Sequence, residues 1–306
     1  MSRRVLIGGG TGFIGSTLKQ FLKNRGYVVT VISRTPGKNR LTWNDIAQNG
    51  IPDDTFAAVN VAGENVLNPL RRFNDDFKNA IFESRIKTTS LLANAIRDAK
   101  TKPEAFICMS GVGIYKPDKE KLYDENTDVS ESFDYISKLA HEWEKASETS
   151  SDVRKVILRS GVVLGRNGGM ILQTYLQFYF GFGTWFGSGS QYFPWIHLHD
   201  LCRLIIFSIE NNQVNGVVNA VAPEIITNKT FAKTFASAMN RPALLPTLGI
   251  VCKLVFGAER AVMILEGQQV IPSKAMEYKF PYLYPTIQKA CAELAPFNYV
   301  PPSLTY

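Results

Sequence analysis

The stretch that decides the fold is Val5-Leu-Ile-Gly-Gly-Gly-Thr-Gly-Phe-Ile-Gly15, close to the start of the 306-residue chain. Its apolar beginning has the character of a buried strand, and a helical pattern follows from Ile14. Gly9, Gly12 and Gly15 lie between the two at three-residue spacing. Glycine at these positions permits a tight turn and lets the backbone approach a pyrophosphate at the helix start. The stretch therefore predicts a dinucleotide-binding βαβ unit, and the alternative is a turn that serves packing alone.

Short apolar runs alternate with segments of helical period through the first two hundred residues, and further helices and a strand follow. The apolar runs predict strands that are covered on both faces, at 4–8, 28–33, 57–62, 105–110, 155–160 and 217–222. The helical spacing predicts helices at 14–25, 74–100, 134–149 and 198–211, and another that opens at Thr227. This alternation is typical of βαβ units on a parallel sheet. After Pro242 it fails, which predicts a smaller C-terminal lobe packed directly on the sheet.

The composition is that of a soluble globular protein. Hydrophobic residues make up 45% and charged residues 20% of the chain, which excludes disorder as its main state. The 34 Lys and Arg exceed the 27 Asp and Glu, and the net charge of +7 favours anionic ligands. No basic run or stripe indicates nucleic acid, so we expect no such partner. No apolar run reaches the roughly 18 residues of a transmembrane helix, and we expect no membrane partner either.

The cysteines indicate the cellular compartment. All four lie far apart without a Cys-x-x-Cys pair, namely Cys108, Cys202, Cys252 and Cys291. Scattered cysteines of this kind are typical of reduced thiols in an intracellular protein. Because the first strand begins so early, we expect no secretory signal ahead of it. We therefore expect a cytoplasmic protein, with an organellar one as the alternative.

The residues about twenty positions after the glycine turn predict which cofactor binds. NAD-binding folds commonly carry an acidic residue here, which hydrogen-bonds the ribose 2′-hydroxyl. This chain has Ser33-Arg34 instead. A guanidinium can bind a 2′-phosphate through two parallel hydrogen bonds and the serine adds a donor, whereas a carboxylate would repel the phosphate. We predict NADP as the cofactor, and the alternative is that Arg34 is a solvated surface residue.

With these features the chain resembles the extended short-chain dehydrogenase/reductases of the NAD-dependent epimerase/dehydratase group. The motifs that carry the resemblance are Gly9-Gly-Thr-Gly-Phe-Ile-Gly15, Asn60-Val-Ala-Gly63, Met109-Ser-Gly-Val-Gly-Ile-Tyr115, Arg159-Ser-Gly-Val-Val-Leu-Gly165 and Trp195-Ile-His-Leu-His-Asp-Leu201. The "epimerase family protein" branch of this group also shares Glu64-Asn65, Ser84-Arg85, Pro194-Trp-Ile-His197 and Leu265-Glu-Gly-Gln-Gln-Val-Ile-Pro272. The resemblance implies an α/β fold with a doubly wound (Rossmann) parallel sheet from 1–165 and 196–225. A smaller substrate lobe would comprise 166–195 and 226–306.

Position by position, the resemblance implies a set of cofactor contacts. Those around the pyrophosphate are Gly9, Thr11, Gly12, Phe13, Ile14 and Gly15. The remaining contacts are Ser33 and Arg34 at the 2′-phosphate, Val61 and Ala62 along the adenosine, Arg85 facing the cofactor, and Val162 on the nicotinamide side. An ion pair that holds its helix is the alternative for Arg85. Plain core packing is the alternative for Val162.

The usual catalytic pattern of this group is not reproduced. Its members carry a Tyr as proton donor, a Lys four residues later, and a Ser or Thr that polarises the substrate oxygen. Here the residue four before Lys138 is Asp134, and Tyr135 lies about 100° away around the helix. The expected serine position is occupied by Gly111. The catalytic candidates are Ser110, Tyr115 and Asp134, and their structural alternatives are a strand-end hydroxyl, a packed aromatic ring and an i, i+4 ion pair with Lys138.

The segment 175–195 holds ten aromatic residues interspersed with glycines. It predicts an apolar substrate wall or lid, with a buried core or a dimer surface as equal alternatives. Phe193-Pro194 stands where many of these epimerases have an Arg-Asp pair whose Arg reaches a substrate diphosphate. His197 and His199 have no third ligand beside them, so we predict structural histidines and no metal.

Together these features predict an NADP(H)-dependent oxidoreductase or epimerase-like enzyme that acts on a small-molecule substrate. Hydride would move between the nicotinamide and that substrate, and a homodimer is a further expectation. The missing Tyr–Lys pair motivates the alternative, which is a catalytically inactive NADP(H)-binding module that senses redox state or docks a partner protein.

Overall fold

The computed structural model describes residues 3–68 and 70–296. The strands in these ranges are β1 (Arg4–Gly8), β2 (Val28–Ser33), β3 (Arg40–Thr42), β4 (Thr55–Asn60), β5 (Ala105–Gly111), β6 (Leu122–Tyr123), β7 (Arg154–Ser160), β8 (Val162–Leu164), β9 (Gly183–Phe186), β10 (Trp195–His197), β11 (Gly216–Ala220), β12 (Ala243–Thr247) and β13 (Gln269–Val270). The helices are α1 (Phe13–Asn24), α2 (Trp43–Asn49), α3 (Asp75–Phe82), α4 (Thr88–Asp98), α5 (Tyr135–Ala146), α6 (Gly169–Tyr179), α7 (Leu198–Glu210), α8 (Asn228–Ala238), α9 (Gly249–Phe256), α10 (Ala258–Leu265), α11 (Ser273–Glu277) and α12 (Ile287–Leu294). A π-helical segment, Glu83–Lys87, joins α3 to α4.

A seven-stranded parallel sheet forms the centre of the molecule, in the order β11-β7-β5-β4-β1-β2-β3. Chain progression reverses direction between β1 and β4, and such a switch point opens a crevice at the carboxyl ends of the strands. Gly8 at the end of β1 pairs with Ile32 of β2 and with Asn60 of β4. The loops that follow these three strands therefore meet at one edge. The doubly wound parallel sheet predicted from the sequence is confirmed.

Side-chain hydrogen bonds and one π-helical turn explain why some strands and helices begin or end at other residues than predicted. The strand expected at 57–62 ends at Asn60, because the side chain of Asn60 accepts a hydrogen bond from the Ala62 amide at 3.1 Å and turns the chain. The helix expected over 74–100 contains the π-helical segment, whose wider turn has no counterpart in a pattern of period 3.6. Asp134 caps α5, which therefore begins one residue later than expected, and Thr227 caps α8 as predicted.

Helix α1 shows how the sequence sets an element that the site depends on. Leu18, Phe21 and Leu22 are buried, at the i, i+3, i+4 spacing of a core-facing stripe. The helix ends where Gly26 takes a φ of +83° and donates its amide to the carbonyl of Lys23. A side chain is disfavoured in that left-handed conformation, so glycine there is a stop signal.

The described part of the chain holds two large hydrophobic cores and a smaller third cluster around Tyr115 and Tyr123. The larger one covers both faces of the central sheet. The second combines residues of the aromatic segment, α8 and α12, for example Trp195, Phe235 and Leu294. Its strands form separate two-stranded pairs, among them β12 with β9. This second core has the composition expected of the smaller lobe, whose boundaries stay a prediction. None of the described helices has the length and apolar character needed to cross a bilayer.

Candidate functional site

The glycine turn after β1 packs backbone against backbone. Gly9 has a φ of +78°, and a Cβ on it would lie 2.7 Å from the Cα of Ala62 in the turn after β4. A Cβ on Gly15 would lie 2.3 Å from the carbonyl oxygen of Gly9. The Gly12 amide donates to that same carbonyl at 3.0 Å. Both glycines are therefore required by geometry, and the turn holds the start of α1 against the turn after β4.

The first turn of α1 is open to solvent at the crevice. Its cap residue is Gly12, which offers no side chain to the helix amides. Thr11 and Gly12 are exposed, whereas Phe13 and Ile14 are half-buried. The Phe13 ring packs on Gly168, where a Cβ would come within 2.4 Å of it. Uncapped amides at a helix start form an anion-binding site together with the helix dipole.

The two residues after β2 behave differently from each other. Ser33 is buried, and its hydroxyl donates to the Thr35 carbonyl at 2.6 Å, which fixes the turn. Arg34 is exposed and forms no hydrogen bond or ion pair with any residue of 3–68 or 70–296. Lys38 and Arg40 are exposed in the same turn, and no Asp or Glu occurs between positions 34 and 44. The next carboxylate, Asp45, accepts from the amide and hydroxyl of Thr42, and it forms no ion pair with these cations.

Two residues that sequence reasoning did not single out hold the loop after β4. Asn60 is fully buried, and its amide nitrogen donates to Thr89 Oγ1 of α4 at 2.8 Å while its oxygen accepts from Ala62. Ser84 Oγ accepts the amide of Glu64 at 2.9 Å. These contacts fix Val61 and Ala62, both half-buried, beside the glycine turn. Asn60 and Ser84 belong to the Asn60-Val-Ala-Gly63 and Ser84-Arg85 motifs, but the motifs alone do not show which backbone groups these side chains bind.

Arg85 lies on the π-helical segment with its guanidinium against the loop after β4. The guanidinium carbon lies 3.1 Å from the position of a Cβ on Gly63 and 5.1 Å from the centre of the Trp143 ring. Burial lowers the pKa of Arg85 to about 10, so the group stays protonated at neutral pH. No carboxylate of the described residues pairs with it, so the ion pair weighed as its alternative is absent there. The guanidinium donates to the Ile81 carbonyl at 3.5 Å, and a cation that has no paired carboxylate at this edge is suited to an anionic ligand.

Val162 opens β8 beside β10. Its amide donates to the Pro194 carbonyl at 2.8 Å, and its side chain packs against the second core. These contacts are those of the core-packing alternative. The role at the nicotinamide stays a prediction.

Ser110 does not present a free hydroxyl. It is almost fully buried at the end of β5, and its Oγ donates to Glu144 Oε1 of α5 at 2.8 Å. Glu144 also accepts two hydrogen bonds from Arg159 of β7, at 2.8 Å and 2.9 Å. Burial lowers the pKa of Arg159, but the bonds and the charge of Glu144 outweigh it and raise that pKa above its usual value. Ser110 thus belongs to a buried ion-pair network.

Tyr115 belongs to the same network. Its side chain is 1% exposed, and its hydroxyl accepts from Arg159 Nη1 at 2.9 Å. The hydroxyl proton has two acceptors, Asn219 Oδ1 at 2.9 Å and the Asp124 carbonyl at 3.0 Å. Burial raises the pKa of Tyr115, which also opposes loss of the proton. The geometry favours the structural role for Ser110 and Tyr115, whose catalytic assignment stays a prediction.

Asp134 caps a helix. Its Oδ1 accepts from the Ser137 amide at 2.7 Å, and Ser137 Oγ accepts from the Asp134 amide in return. The expected ion pair with Lys138 is wrong within the described residues, because the carboxylate faces the helix amides while Lys138 is exposed. Tyr135 does not replace the missing tyrosine, since its hydroxyl donates to the Lys78 carbonyl of α3 at 3.2 Å.

The two histidines at the start of α7 are packed and hydrogen-bonded. His197 Nε2 lies 3.0 Å from Glu293 Oε2, and His197 Nδ1 accepts the His199 amide. The His199 ring packs against Phe21 and Tyr284. Burial lowers the pKa of His199 to about 4, so it is neutral at physiological pH. These are the contacts of structural histidines, and residues 3–68 and 70–296 hold no cluster of three or more potential metal ligands.

The aromatic residues of 175–195, for which a substrate wall or lid, a buried core and a dimer surface were the three interpretations, include a buried group and an exposed group. Phe178, Trp185, Phe193 and Trp195 are buried in the second core. Phe180 and Phe182 are exposed on the outside of the lobe. The segment therefore builds core and also an open apolar surface.

A parallel seven-stranded sheet, a glycine turn at its switch point and an uncapped helix start together define a dinucleotide-binding, short-chain dehydrogenase/reductase-like protein. The model of the NAD-dependent epimerase/dehydratase family matches residues 5–220. The chain belongs to this family. Residues 249–294 match a second model, a domain of unknown function called DUF1731.

Similar proteins agree with this assignment. The human epimerase family protein SDR39U1 is 46% identical over 95% of this chain and 99% of its own length. Its crystal structure (isoform 2) with NADPH superimposes with a TM-score of 0.93, with the same coverage of the two chains. A chloroplastic homologue of SDR39U1 from Arabidopsis thaliana is 31% identical over 94% of this chain and 85% of its own. The resemblance to the epimerase family protein branch is confirmed.

A more distant structure shows the fold alone. The UDP-N-acetylglucosamine 4-epimerase of Bacillus cereus superimposes with a TM-score of 0.74 at 18% identity, covering 96% of this chain and 98% of its own. Its substrate therefore does not transfer to this protein.

Proposed function

We propose that this protein binds NADP(H) in the crevice at the carboxyl ends of β1, β2 and β4. The observation that carries the proposal is the unpaired Arg34, which lies after β2 with no carboxylate nearby in its turn. A 2′-phosphate would supply the charge that Arg34 lacks. The crystal structure of the human relative with NADPH supports the same choice of cofactor.

The residues at the crevice fit the parts of such a cofactor. The close approach at Gly9 and Gly15 leaves backbone amides free to face a pyrophosphate, at the uncapped start of α1. Val61 and Ala62, held by Asn60, would line the adenosine side. Arg85 would stabilise negative charge on the bound molecule. Ser33 would contribute to cofactor binding indirectly, by stabilising the turn that carries Arg34, because its hydroxyl proton is already donated to the Thr35 carbonyl.

We propose further that the bound cofactor serves an oxidoreductase or epimerase-like reaction on a small substrate. The nicotinamide supplies hydride transfer when it is bound. The chain itself would position the cofactor and enclose the substrate between the sheet edge and the lobe. Family membership over residues 5–220 supports this step.

The experiment compares Arg34→Asp with Arg97→Asp in calorimetric titrations with NADPH and NADH. Arg97 is exposed on α4 and changes the net charge equally. We expect Arg34→Asp to weaken NADPH binding about ten- to hundredfold, corresponding to about 1.4 to 2.8 kcal/mol, and NADH binding far less. Arg97→Asp should leave both unchanged. Equal losses for the two nucleotides in Arg34→Asp would mean that Arg34 does not recognise the 2′-phosphate.

A non-catalytic NADP(H)-binding module is the second candidate function. The specific observation in its favour is that Asp134 caps α5 at the position of the usual tyrosine, and that Gly111 takes the position of the usual serine. Absorbance at the reduced-nicotinamide band, followed with a panel of carbonyl compounds, separates the two candidates. Oxidation of NADPH that depends on one compound excludes the module. Tight binding without any turnover across the panel favours it.

We propose an intracellular location, in the cytoplasm or an organelle. All four cysteines are buried and free in the structure, as reduced thiols would be. The chloroplastic relative supports the organellar option. Localisation of a fluorescently tagged full-length protein tests the proposal, and secretion of the protein would contradict it.

A further inference from the structure

The exposed apolar residues of this protein are unevenly distributed. Of the twenty large hydrophobic residues that are exposed in the described chain, twelve lie in two short segments, 172–182 and 244–263. Both segments belong to the C-terminal lobe. A soluble protein scatters such residues singly, so a concentration of this kind indicates an interaction surface.

The first segment presents a stripe along α6. Leu172, Leu176 and Phe180 follow one another at four-residue spacing, and each is well over half exposed. Side chains four residues apart lie on one face of a helix. Phe182, which follows the helix, is 72% exposed. The stripe therefore faces solvent instead of the second core.

The second segment is attached to the first by hydrogen bonds. Strand β12 pairs with β9, and Thr184 Oγ1 lies 2.7 Å from Thr247 Oγ1. On and after β12, Leu244, Leu245 and Leu248 are exposed. Helix α9 continues this surface, because Cys252 is its one buried residue while Leu254 is 80% exposed. We call the exposed residues of 172–182 and 244–255 the apolar face.

The charges within the apolar face are positive, whereas two exposed carboxylates lie on or just after α10, which packs against α9, namely Glu259, which is paired with Lys78, and Glu266. Residues 167–199 contain no Asp, Glu, Lys or Arg, and residues 225–258 contain four cations and no carboxylate. The cations are Lys229, Lys233, Arg241 and Lys253. Lys229 lies over the Trp185 ring of β9, and Arg241 donates to the Tyr179 carbonyl at the end of α6. Lys253 thus lies on α9 among the apolar side chains, whereas Lys229 and Lys233 lie on α8 and Arg241 precedes β12.

We propose that the apolar face docks on an anionic lipid bilayer. The apolar side chains would enter the boundary between headgroups and acyl chains, while the cations bind anionic headgroups. A second copy of the chain fits this face less well. In a two-fold dimer the face meets itself, so its four cations would be brought together while residues 225–258 offer no carboxylate to pair with them. The expectation of no membrane partner rested on the lack of a spanning segment, and a peripheral contact needs none.

Vesicle co-sedimentation of the full chain tests this inference. The vesicles contain phosphatidylcholine alone or with about 30% phosphatidylserine, an anionic lipid of the kind that attracts basic surfaces. We expect binding to the anionic vesicles, with weakening at about 0.5 M salt, where screening is strong. Lys253→Ala should reduce the binding constant about fivefold, as expected for one cation at such a surface.

A double variant tests the apolar part of the contact. Leu245→Asp with Leu254→Asp should lower binding more than tenfold, since two leucine side chains lose their burial in the bilayer and two carboxylates meet an anionic surface. The matched control is Leu122→Asp with Met276→Asp, which changes two exposed apolar residues outside the face. The control should bind as the wild type does, and circular dichroism checks that both variants fold.

Three results would overturn the proposal. The first is absence of binding to anionic vesicles. The second is equal binding of the double variant and the wild type. The third is a dimer in light scattering that the double variant dissociates while vesicles sediment no protein, which would assign the face to a second copy of the chain.

Discussion

Two groups of polar side chains lie on this sheet, and they differ in whether they have partners. On the β1, β2 and β4 side, Arg34 forms no hydrogen bond or ion pair with the described residues, and the start of α1 has no cap. On the β5, β7 and β11 side, Ser110, Arg159 and Asn219 form one buried network. Exposed polar groups without a protein partner are available to bind a ligand. Buried polar groups that stabilise the fold form hydrogen bonds and ion pairs with one another.

The comparison separates cofactor binding from catalysis. The cofactor side keeps the features that a dinucleotide needs, and the other side has no hydroxyl that is both free and accessible among the three catalytic candidates. Binding of NADP(H) can therefore be tested on its own, before a substrate is known.

Removing one partner of the buried network gives the largest expected effect. Arg159→Met leaves the Glu144 carboxylate buried without its cation, which costs roughly 3 to 5 kcal/mol of unfolding free energy. Urea unfolding measures the loss. Arg97→Met breaks a surface pair with Asp98 and should cost less than about 0.5 kcal/mol. A similar small cost for Arg159→Met would contradict the structural role of the network.

His199 supplies a polar atom that lacks a partner in the described part of the chain although it is buried in the core, in contrast to the exposed Arg34 at the crevice. His199 Nδ1 has no partner in the described residues, and the pKa of His199 is lowered to about 4 from an ordinary 6.5. As the pH falls from 6.5 to 4, the unfolded chain binds a proton that the folded chain does not. Stability is thus full above 6.5 and falls by up to about 3 kcal/mol below it.

The pH dependence of urea unfolding in a variant checks this assignment. His199→Gln should remove that component of the pH dependence. His141→Gln, which leaves His199 in place, should retain it. A pH profile that is the same in His199→Gln and the wild type would show that another group titrates.

A pair of glycine variants tests the cofactor side. Gly9 and Gly26 both have φ near +80°, but a Cβ on Gly9 meets Ala62 while one on Gly26 meets nothing within 4 Å. Gly26→Ala should lose about 1 to 2 kcal/mol of stability to backbone strain alone, and Gly9→Ala should lose more because its Cβ also clashes with the Ala62 backbone. Only Gly9→Ala should also weaken NADPH binding, by about a hundredfold, or about 2.8 kcal/mol. Unchanged affinity in Gly9→Ala, measured by calorimetry, would mean that the turn does not contact the cofactor.

The smallest effect distinguishes a cap from a catalytic carboxylate. Asp134→Ala should cost about 1 kcal/mol of unfolding free energy, and Asp134→Asn much less, because asparagine also caps helices. With either variant NADPH affinity should stay unchanged. Once a substrate is found, loss of turnover in Asp134→Asn without loss of stability would show that the carboxylate acts in catalysis.

The sequence was sufficient for the parts of this account that depend on local pattern. The glycine spacing, six of the seven strands of the sheet and the Ser33-Arg34 pair each lie within a few neighbouring residues, so they could be predicted directly, whereas the three-residue β3 was missed. The exposure of Arg34 was left open as an alternative, and the structure now shows a side chain that is exposed and without a partner.

The buried network could not be predicted, because it depends on strand register. Ser110 pairs with Arg159 across β5 and β7, and Asn219 pairs with Arg159 across β11 and β7. These residues are 49 and 60 positions apart in the chain. Residues opposite each other in neighbouring strands have side chains on the same face. An apolar run predicts a strand but not its offset from the neighbouring strands, so the sequence leaves Ser110 as a catalytic candidate.

The most direct test of the central claim is a calorimetric titration of the cofactor-free protein with NADPH and, separately, with NADH. The unpaired Arg34 and the uncapped start of α1 predict tight binding of NADPH and binding of NADH weaker by at least about tenfold. Failure to bind either nucleotide at millimolar concentration would contradict the account, because the glycine turn would then serve packing alone.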